Sequence, residues 1–463
     1  MRKICLALAL ASVSVGWAEA PKYVFLFIGD GMSTPQRMVA EEFAAKVGHG
    51  EFAMNRLPFQ ANTRTRSANA VITDSAAAAT AIACGEKANN HTLGVRPDGS
   101  RLESVAEFAK KRGMKVGIMT TVGIVHATPA GFYAHRTNRG LNYQIALDLV
   151  DSGFDYFAGG GINGANNPKK DPAYRGDIWE LARAAGYEIC TNRAQWAALK
   201  PGSKSWSVFS KWQMGFQIDA DGSLPTPAEM VAKGIEAMEG PDGFFLMCES
   251  GMVDHAGHAN DAATNLREVL ALDDAVKVAL AFLDRHPAET LVVVTGDHET
   301  GGLSMGFSGV GEKFDVGLLA HQKTSVEKFS EDIKKLIKAS DCKMSFDEAK
   351  PLLTEKFGLV FDKPGDPMQM SAETVTTLAE AFSNDVRKVR GKVADTTAHD
   401  VPRRYVFAQT VKNVLNAHAG VGWSSGCHTA LPTLTTAKGN GAEILVGMSE
   451  NTDIARRLKA LLK

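Results

Sequence analysis

Cysteine is scarce. Six in 463 residues are too few for a disulfide scaffold, and the absence of any CxxC pair argues against a structural zinc knuckle. Cys5 lies in an N-terminal apolar run. The rest, Cys84, Cys190, Cys248, Cys342 and Cys427, are odd in number, so one thiol stays unpaired within the chain. Charge of one sign is also lacking. Lys plus Arg number 51 and Asp plus Glu 52, for a net charge of −1. No global basic field exists to hold nucleic acid or an anionic membrane, so any electrostatic recognition must be local. No apolar run reaches the roughly 20 residues of a bilayer span. Hydrophobic residues at 44% and charged residues at 22% exclude a disordered chain and a collagen-like fibre.

The N-terminus has its own logic. Met1-Arg2-Lys3 is positive, Ile4 to Trp17 is short and apolar, and Gly16-Trp17-Ala18 offers small residues at −3 and −1. This pattern reads as a signal peptide over 1–18. The alternative cleavage after Ala20 would leave Pro21 at +1. The expectation is an exported chain, periplasmic or secreted, with its folded part over 19–463.

Strand and helix patterns alternate along the chain. Tyr23 to Ile28 is a continuous apolar run ending in Gly29-Asp30-Gly31, as for a buried parallel strand. Further strands are predicted over Lys115 to Met119, Phe154 to Ala158, Gly243 to Cys248 and Thr290 to Thr295. Helices are predicted over Leu102 to Lys111, Ala146 to Val150, Pro227 to Met238 and Asn265 to Leu283. This βαβ rhythm predicts an α/β fold, a doubly wound, mostly parallel sheet sandwiched by helices. The rhythm breaks over 303–419, which turns more charged and more helical, with candidates at Val326 to Lys338 and Met370 to Lys388. That stretch is read as an insertion or cap. A last strand is placed at Glu443 to Gly447.

Ligands in such sheets sit beyond the carboxyl ends of the strands. Asp30 follows the first strand. Glu249, Asp254 and His258 follow the Gly243 strand, and Asp297-His298 follow the Thr290 strand. Asp254 and His258, four apart, share a face if helical. Carboxylates with imidazoles suit zinc, and oxygen-rich sets suit magnesium. A single Asp-His pair is usually only a polar loop, but strand ends converge in space. Thr73-Asp74-Ser75 then gives way to an alanine run, which puts Ser75 at or near a helix N-terminus. Ser75 there is either a simple cap or a nucleophile set where anions are favoured.

Gly29-Asp30-Gly31-Met32, Thr73-Asp74-Ser75-Ala76-Ala77, His126-Ala127-Thr128-Pro129-Ala130, Glu249-Ser250-Gly251 with Asp254 and His258, Thr295 through Gly302, and Cys427-His428-Thr429 resemble, in order, the motifs of the alkaline phosphatase family. The resemblance runs from Tyr23 to the C-terminus and is weakest over 303–419. It implies hydrolysis of small-molecule phosphate monoesters, best at alkaline pH, through a phosphoserine on Ser75. It implies one zinc at Asp254, His258 and His428, and a second at Asp30, Asp297 and His298. A magnesium, or a third zinc, falls to Asp30, Thr128 and Glu249. Arg139 matches the phosphate clamp, with Asp74 orienting it. Some members carry Asp and Lys where this chain has His126 and His255, which are expected to touch the third metal and the phosphate through water. The resemblance also implies a homodimer, with the 303–419 stretch shaping access or the interface.

Two neighbouring chemistries fit less well. Sulfatases want a Pro and an Arg after the nucleophile, and Ser75-Ala76-Ala77-Ala78-Ala79 has neither. Phosphodiesterase relatives usually place Thr at the nucleophile and lack the magnesium set. His49, His91, His286, His321, His399 and His418 are scattered and receive no role. His135 is placed one helical turn before Arg139, as packing or support.

Overall fold

The computed structural model describes residues 20–163, 171–391 and 406–463. Residues 1–18, read above as a signal peptide and containing Cys5, lie outside the described residues, as does His399. Among the described residues no helix is long and apolar enough to cross a membrane, and the five cysteines are all free.

The strands in chain order are β1 (Tyr23–Gly29), β2 (Phe59–Arg64), β3 (Lys115–Gly123), β4 (Tyr156–Gly160), β5 (Glu188–Cys190), β6 (Ser205–Val208) and β7 (Phe244–Ser250). They continue as β8 (Thr290–Gly296), β9 (Glu299–Thr300), β10 (Leu303–Met305), β11 (Val421–Trp423), β12 (His428–Thr429), β13 (Thr433–Gly439) and β14 (Gly447–Glu450). Ten of them form one sheet in the order β14-β2-β13-β8-β1-β7-β3-β4-β6-β5. From β8 to β5 every pairing is parallel, and β13 alone runs antiparallel to both its neighbours, β8 and β2. The expected doubly wound α/β sheet is therefore present.

Its two faces come from the side-chain alternation of the central strands. Tyr23, Phe25 and Phe27 of β1 enter one apolar core, and Val24, Leu26 and Ile28 enter the other. β7 and β8 alternate likewise. A strand buried on both faces has no polar side to show, which is why β1 reads as an unbroken apolar run. The first core takes helices Thr34–Val47, Pro227–Met238 and Ala262–Arg285, and also Val326–Ala339, Phe346–Phe357, Ala372–Val389 and Val406–His418. The helical 303–419 stretch thus shares a core with one face of the sheet. The second core takes Ser75–Cys84, Val105–Lys111, Asn142–Ser152, Ile178–Ala184 and Thr452–Leu461.

Two local expectations need correction. Residues Ala442–Ile444 form a short 3-10 turn, and the last strand is β14, beginning at Gly447. Gly447 has φ of 82°, a left-handed turn at the first residue of that strand, which glycine adopts without strain. The helix before Arg139 spans only Ala127–Ala130, so His135 is not one helical turn from Arg139. Its ring instead bridges the Gly94 carbonyl at 2.9 Å and Glu107 Oε1 at 3.1 Å.

The helix Ala262–Arg285 carries a buried acid outside the site. Glu268 Oε1 accepts the Gln217 N–H at 2.6 Å, and Oε2 has no hydrogen-bond partner among the described residues. Burial pushes this carboxyl up to about 8, against the Gln217 N–H and with the help of nearby Asp219. A raised acid contributes stability that is full below its unfolded pKa, roughly 4.3, and is lost as pH rises through about 8. Glu268→Gln removes that loss. The melting temperature of the variant relative to the parent is expected to climb between pH 5 and 9, by an amount of order 2–5 kcal/mol in stability. A difference that stays flat with pH would refute the assignment.

Candidate active site

The site is built where β1, β7 and β8 end together. Gly29 stands opposite Ser250 on one side and Gly296 on the other. Asp30 and Asp297 therefore leave the sheet at one level, with Glu249 a residue earlier beside Ile28. Gly31 has φ of 74°, and a Cβ there would lie 2.8 Å from Thr300 Oγ1 and 2.9 Å from Asp254 Cα. Only glycine allows the turn after β1 to close against the helix Met252–His258, which carries Asp254. The Gly31 N–H then donates to Asp297 Oδ1 at 3.0 Å.

Three donor clusters result, each with its ligand atoms within 4.8 Å of one another: Asp254, His258 and His428; Asp30, Asp297 and His298; and Asp30, His126 and Glu249. Asp30 belongs to two of them. Thr128 joins the third, donating through Oγ1 to Asp30 Oδ2 at 3.3 Å. A His126 ring nitrogen lies within 4.8 Å of the Asp30 and Glu249 oxygens of this cluster. His255 is half-buried on the same short helix as Asp254, its ring 6.2 Å from that of His126. A fourth cluster, His49, Asp273 and Asp274, already contains a cation. Lys277 Nζ lies 3.1 Å from His49 Nε2, 3.1 Å from Asp273 and 3.2 Å from Asp274.

The imidazoles are aimed by their far nitrogens. His258 Nδ1 bonds the Gly426 carbonyl at 2.8 Å and His428 Nδ1 the Thr73 carbonyl at 2.9 Å. His298 Nδ1 meets Thr300 Oγ1 at 3.3 Å. A carbonyl on Nδ1 fixes the proton there and leaves Nε2 as a lone pair facing the site. His298 Nε2 lies 3.2 Å from Ser75 Oγ, 3.3 Å from Asp30 Oδ1 and 3.2 Å from Asp297 Oδ2. One neutral ring nitrogen cannot satisfy three oxygens.

The electrostatics state the same deficit. Burial, with Asp297, Asp254 and Glu249 close by, pushes the Asp30 carboxyl well above its ordinary range. Burial does the same to Asp297 and takes Glu249 up to about 7. In Asp254 burial is outweighed by the His258 and His428 imidazoles, which hold it well below the usual range. Asp30 Oδ1, Asp297 Oδ2, Glu249 Oε1 and His126 Nδ1 are buried without a hydrogen-bond partner among the described residues. Buried acids this close are stable as anions only with cations between them. The donors fit divalent metal ions.

Beside them stands the nucleophile candidate. Ser75 is the first residue of the helix Ser75–Cys84, and the cap is Asp74, whose Oδ1 accepts the Ala77 N–H at 3.0 Å. Ser75 is thus spared the capping role and keeps its hydroxyl for the site. Asp74 Oδ2 takes Arg139 Nη1 at 3.0 Å, and Arg139 Nη2 reaches His126 Nε2 at 3.1 Å. Burial opposes the Asp74 charge, but the Ala77 N–H and Arg139 hold its carboxyl below the ordinary range.

A sequence profile described as Alkaline phosphatase matches residues 21–463. The chain belongs to the alkaline phosphatase family. Alkaline phosphatase 3 of Bacillus subtilis is 30% identical over 459 residues, covering 95% of this chain and 89% of that protein. The solved cold-active alkaline phosphatase of a psychrophilic Shewanella is 26% identical, with a TM-score of 0.79, over 95% of this chain and 100% of that one. The solved Thermus thermophilus alkaline phosphatase is 26% identical, with a TM-score of 0.77, over 98% and 95% respectively. The protein is therefore an enzyme of this family, a metal-dependent hydrolase of phosphate monoesters.

Several further residues of this phosphatase site received no role from the sequence. Thr120 Oγ1 donates to Glu249 Oε2 from within β3. Thr300 Oγ1 donates to Asp254 Oδ1 at 2.5 Å. Glu299, fully buried, takes Gln36 Nε2 at 2.6 Å, the Gly302 N–H at 2.9 Å and Thr429 Oγ1. It thereby ties β12, and with it His428, to β9. Trp212 sets its ring edge-on to His126, with centroids 6.3 Å apart. Thr300 and Glu299 lie inside the Thr295 to Gly302 motif, so position could have flagged them, whereas Thr120 and Trp212 become visible only in three dimensions.

Proposed function

We propose that the enzyme hydrolyses phosphate monoesters through a phosphoserine on Ser75. One zinc falls to Asp254, His258 and His428, a second to Asp30, Asp297 and His298, and magnesium to Asp30, Thr128 and Glu249. His126 is an added donor at the third position and leaves it open to zinc. The carrying observation is Ser75 Oγ at a helix N-terminus, 3.2 Å from His298 Nε2, among buried acids that need cations. When bound, the divalent ions supply positive charge that favours the deprotonated nucleophile and the departing oxygen.

This chain's own residues do the rest. Ser75 Oγ gives its proton to solvent and forms a bond to phosphorus as the ester P–O bond breaks, and the leaving oxygen takes a proton from solvent and departs as the alcohol. Water then attacks phosphorus, the bond to Ser75 Oγ breaks, and the serine is restored with release of inorganic phosphate. Arg139, held by Asp74, offers a planar fork to two phosphoryl oxygens. The Ser75–Cys84 N-terminus adds free N–H groups and the positive end of its dipole. His298, His258 and His428 stay oriented through their Nδ1 partners, and His255 lines the phosphate side of the third position.

Chelation of the whole protein is expected to abolish hydrolysis of p-nitrophenyl phosphate at alkaline pH, and zinc plus magnesium to restore it. Undiminished turnover in protein free of metal by elemental analysis would refute the proposal. The exported location and the homodimer belong to the same reading. Amino-terminal sequencing and light scattering of the intact protein test them; an uncleaved N-terminus or a monomer would count against them.

A further inference from the structure

His91 lies outside the three donor clusters. Its backbone is left-handed, with φ of 71°, one of four such non-glycine residues among those described. That conformation is strained for a side-chain-bearing residue and persists only where the surroundings hold it. Here they do. The His91 carbonyl accepts the Arg139 N–H at 2.8 Å. The preceding Asn90 takes the Asp74 N–H on Oδ1 at 3.2 Å and donates through Nδ2 to the Ile72 carbonyl at 3.2 Å. The loop at 89–91 is thus tied both to the segment leading into Ser75 and to Arg139.

The side chain repeats the connection. His91 Nδ1 lies 3.4 Å from Asp74 Oδ2, the oxygen that takes Arg139 Nη1 at 3.0 Å. Asp74 Oδ1 is committed to the helix cap at Ala77. Guanidinium and imidazole therefore share one carboxylate oxygen. The His91 side chain is 74% exposed, so it contributes little to packing.

We propose that His91 is a positioning residue for the phosphoryl-binding Arg139, acting through Asp74. Its backbone carbonyl fixes where Arg139 starts, and its imidazole keeps the shared Asp74 oxygen turned toward the guanidinium. Without the imidazole, the Asp74 carboxylate keeps the Ala77 and His91 N–H groups and Arg139 itself but loses one contact on its Oδ2 oxygen, so it holds the guanidinium less firmly toward the phosphoryl oxygens. The effect falls on binding of the phosphoryl group and of inorganic phosphate, and leaves the bond-making at Ser75 alone. The inference rests on Ser75 and Arg139 acting as proposed above.

The test uses the full, metal-loaded protein with p-nitrophenyl phosphate as substrate and inorganic phosphate as inhibitor. His91→Gly keeps the left-handed backbone, since glycine adopts it freely, and removes only the imidazole. It is expected to raise KM and the phosphate Ki about twofold to fivefold, the range of an exposed contact to a charged group, while kcat moves by less than about twofold. His91→Asn, which tolerates the same backbone and offers a donor, is expected to recover part of the loss. In an Arg139→Ala background, His91→Gly is expected to add nothing further. Unchanged KM and Ki in His91→Gly would overturn the proposal. So would effects that simply add to those of Arg139→Ala, or a fall in kcat and melting temperature together. An Arg139→Ala variant with unaltered KM and Ki would instead overturn the reading of the site itself.

Discussion

Ser75→Ala is expected to lower kcat for p-nitrophenyl phosphate by about 10⁴-fold or more, the scale on which covalent hydrolases lose their nucleophile. Phosphate should still bind, because Arg139, Asp74 and the donor clusters are untouched. Folding should survive for a local reason. The helix is capped by Asp74, not Ser75, and alanine is the best helix former. The variant therefore separates chemistry from binding. A kcat within about tenfold of the parent, in protein with parental metal content, would mean that water attacks the ester directly.

Asp30→Asn is expected to have the next largest effect, because one carboxylate serves two clusters. Even residues that only orient metal ligands cost roughly 10–100-fold when changed. Weakening two sites at once should cost about 10³-fold or more in activity. Elemental analysis should find both the Asp297–His298 position and the Glu249–Thr128 position depleted. Asp297→Asn should deplete only the first. The metal-free protein should respond in the opposite sense. Burial and the neighbouring Asp297, Asp254 and Glu249 work against charge on Asp30, so a neutral amide relieves repulsion. Chelated Asp30→Asn should melt higher than the chelated parent. Full retention of metal by the variant would place the bridging ligand elsewhere.

The parts of the fold legible in the sequence are those where local pattern and tertiary role agree. Tyr23–Gly29 and Thr290–Gly296 are buried on both faces, so their apolar runs announce them. The helix Pro227–Met238 begins with a Thr226–Glu229 capping box and a first-turn proline, local signals that mark its start from residue types alone. β13 has no such signal. It packs Thr433, Thr435 and Thr436 inside, where hydroxyls pair with one another, as Thr435 does with Thr63 at 2.7 Å. A threonine-rich segment of this kind gives no apolar alternation to read. The edge strand β5 and its neighbour β6 are too short for a period to emerge.

The site divides the same way. Acids and imidazoles at three strand ends point to a metal centre, because a parallel sheet brings those ends together. Which carboxylate bridges, and which nitrogen of each histidine faces inward, depends on partners far away in sequence. His428 is aimed by the Thr73 carbonyl 355 residues earlier, and Glu299 reaches Gln36 across 263. No local pattern encodes such contacts. The odd geometry of His91 is likewise invisible in sequence, since a histidine in a polar loop carries no mark of a left-handed backbone.

The central claim is that phosphorus passes through Ser75. Its most direct test is to mix the metal-loaded protein with a phosphate monoester, quench in acid, digest and locate covalent phosphate by mass spectrometry. The expected result is a single phosphoryl group on the peptide containing Ser75, absent from Ser75→Ala. Phosphate bound to another side chain, or none on Ser75 while turnover proceeds, would contradict it.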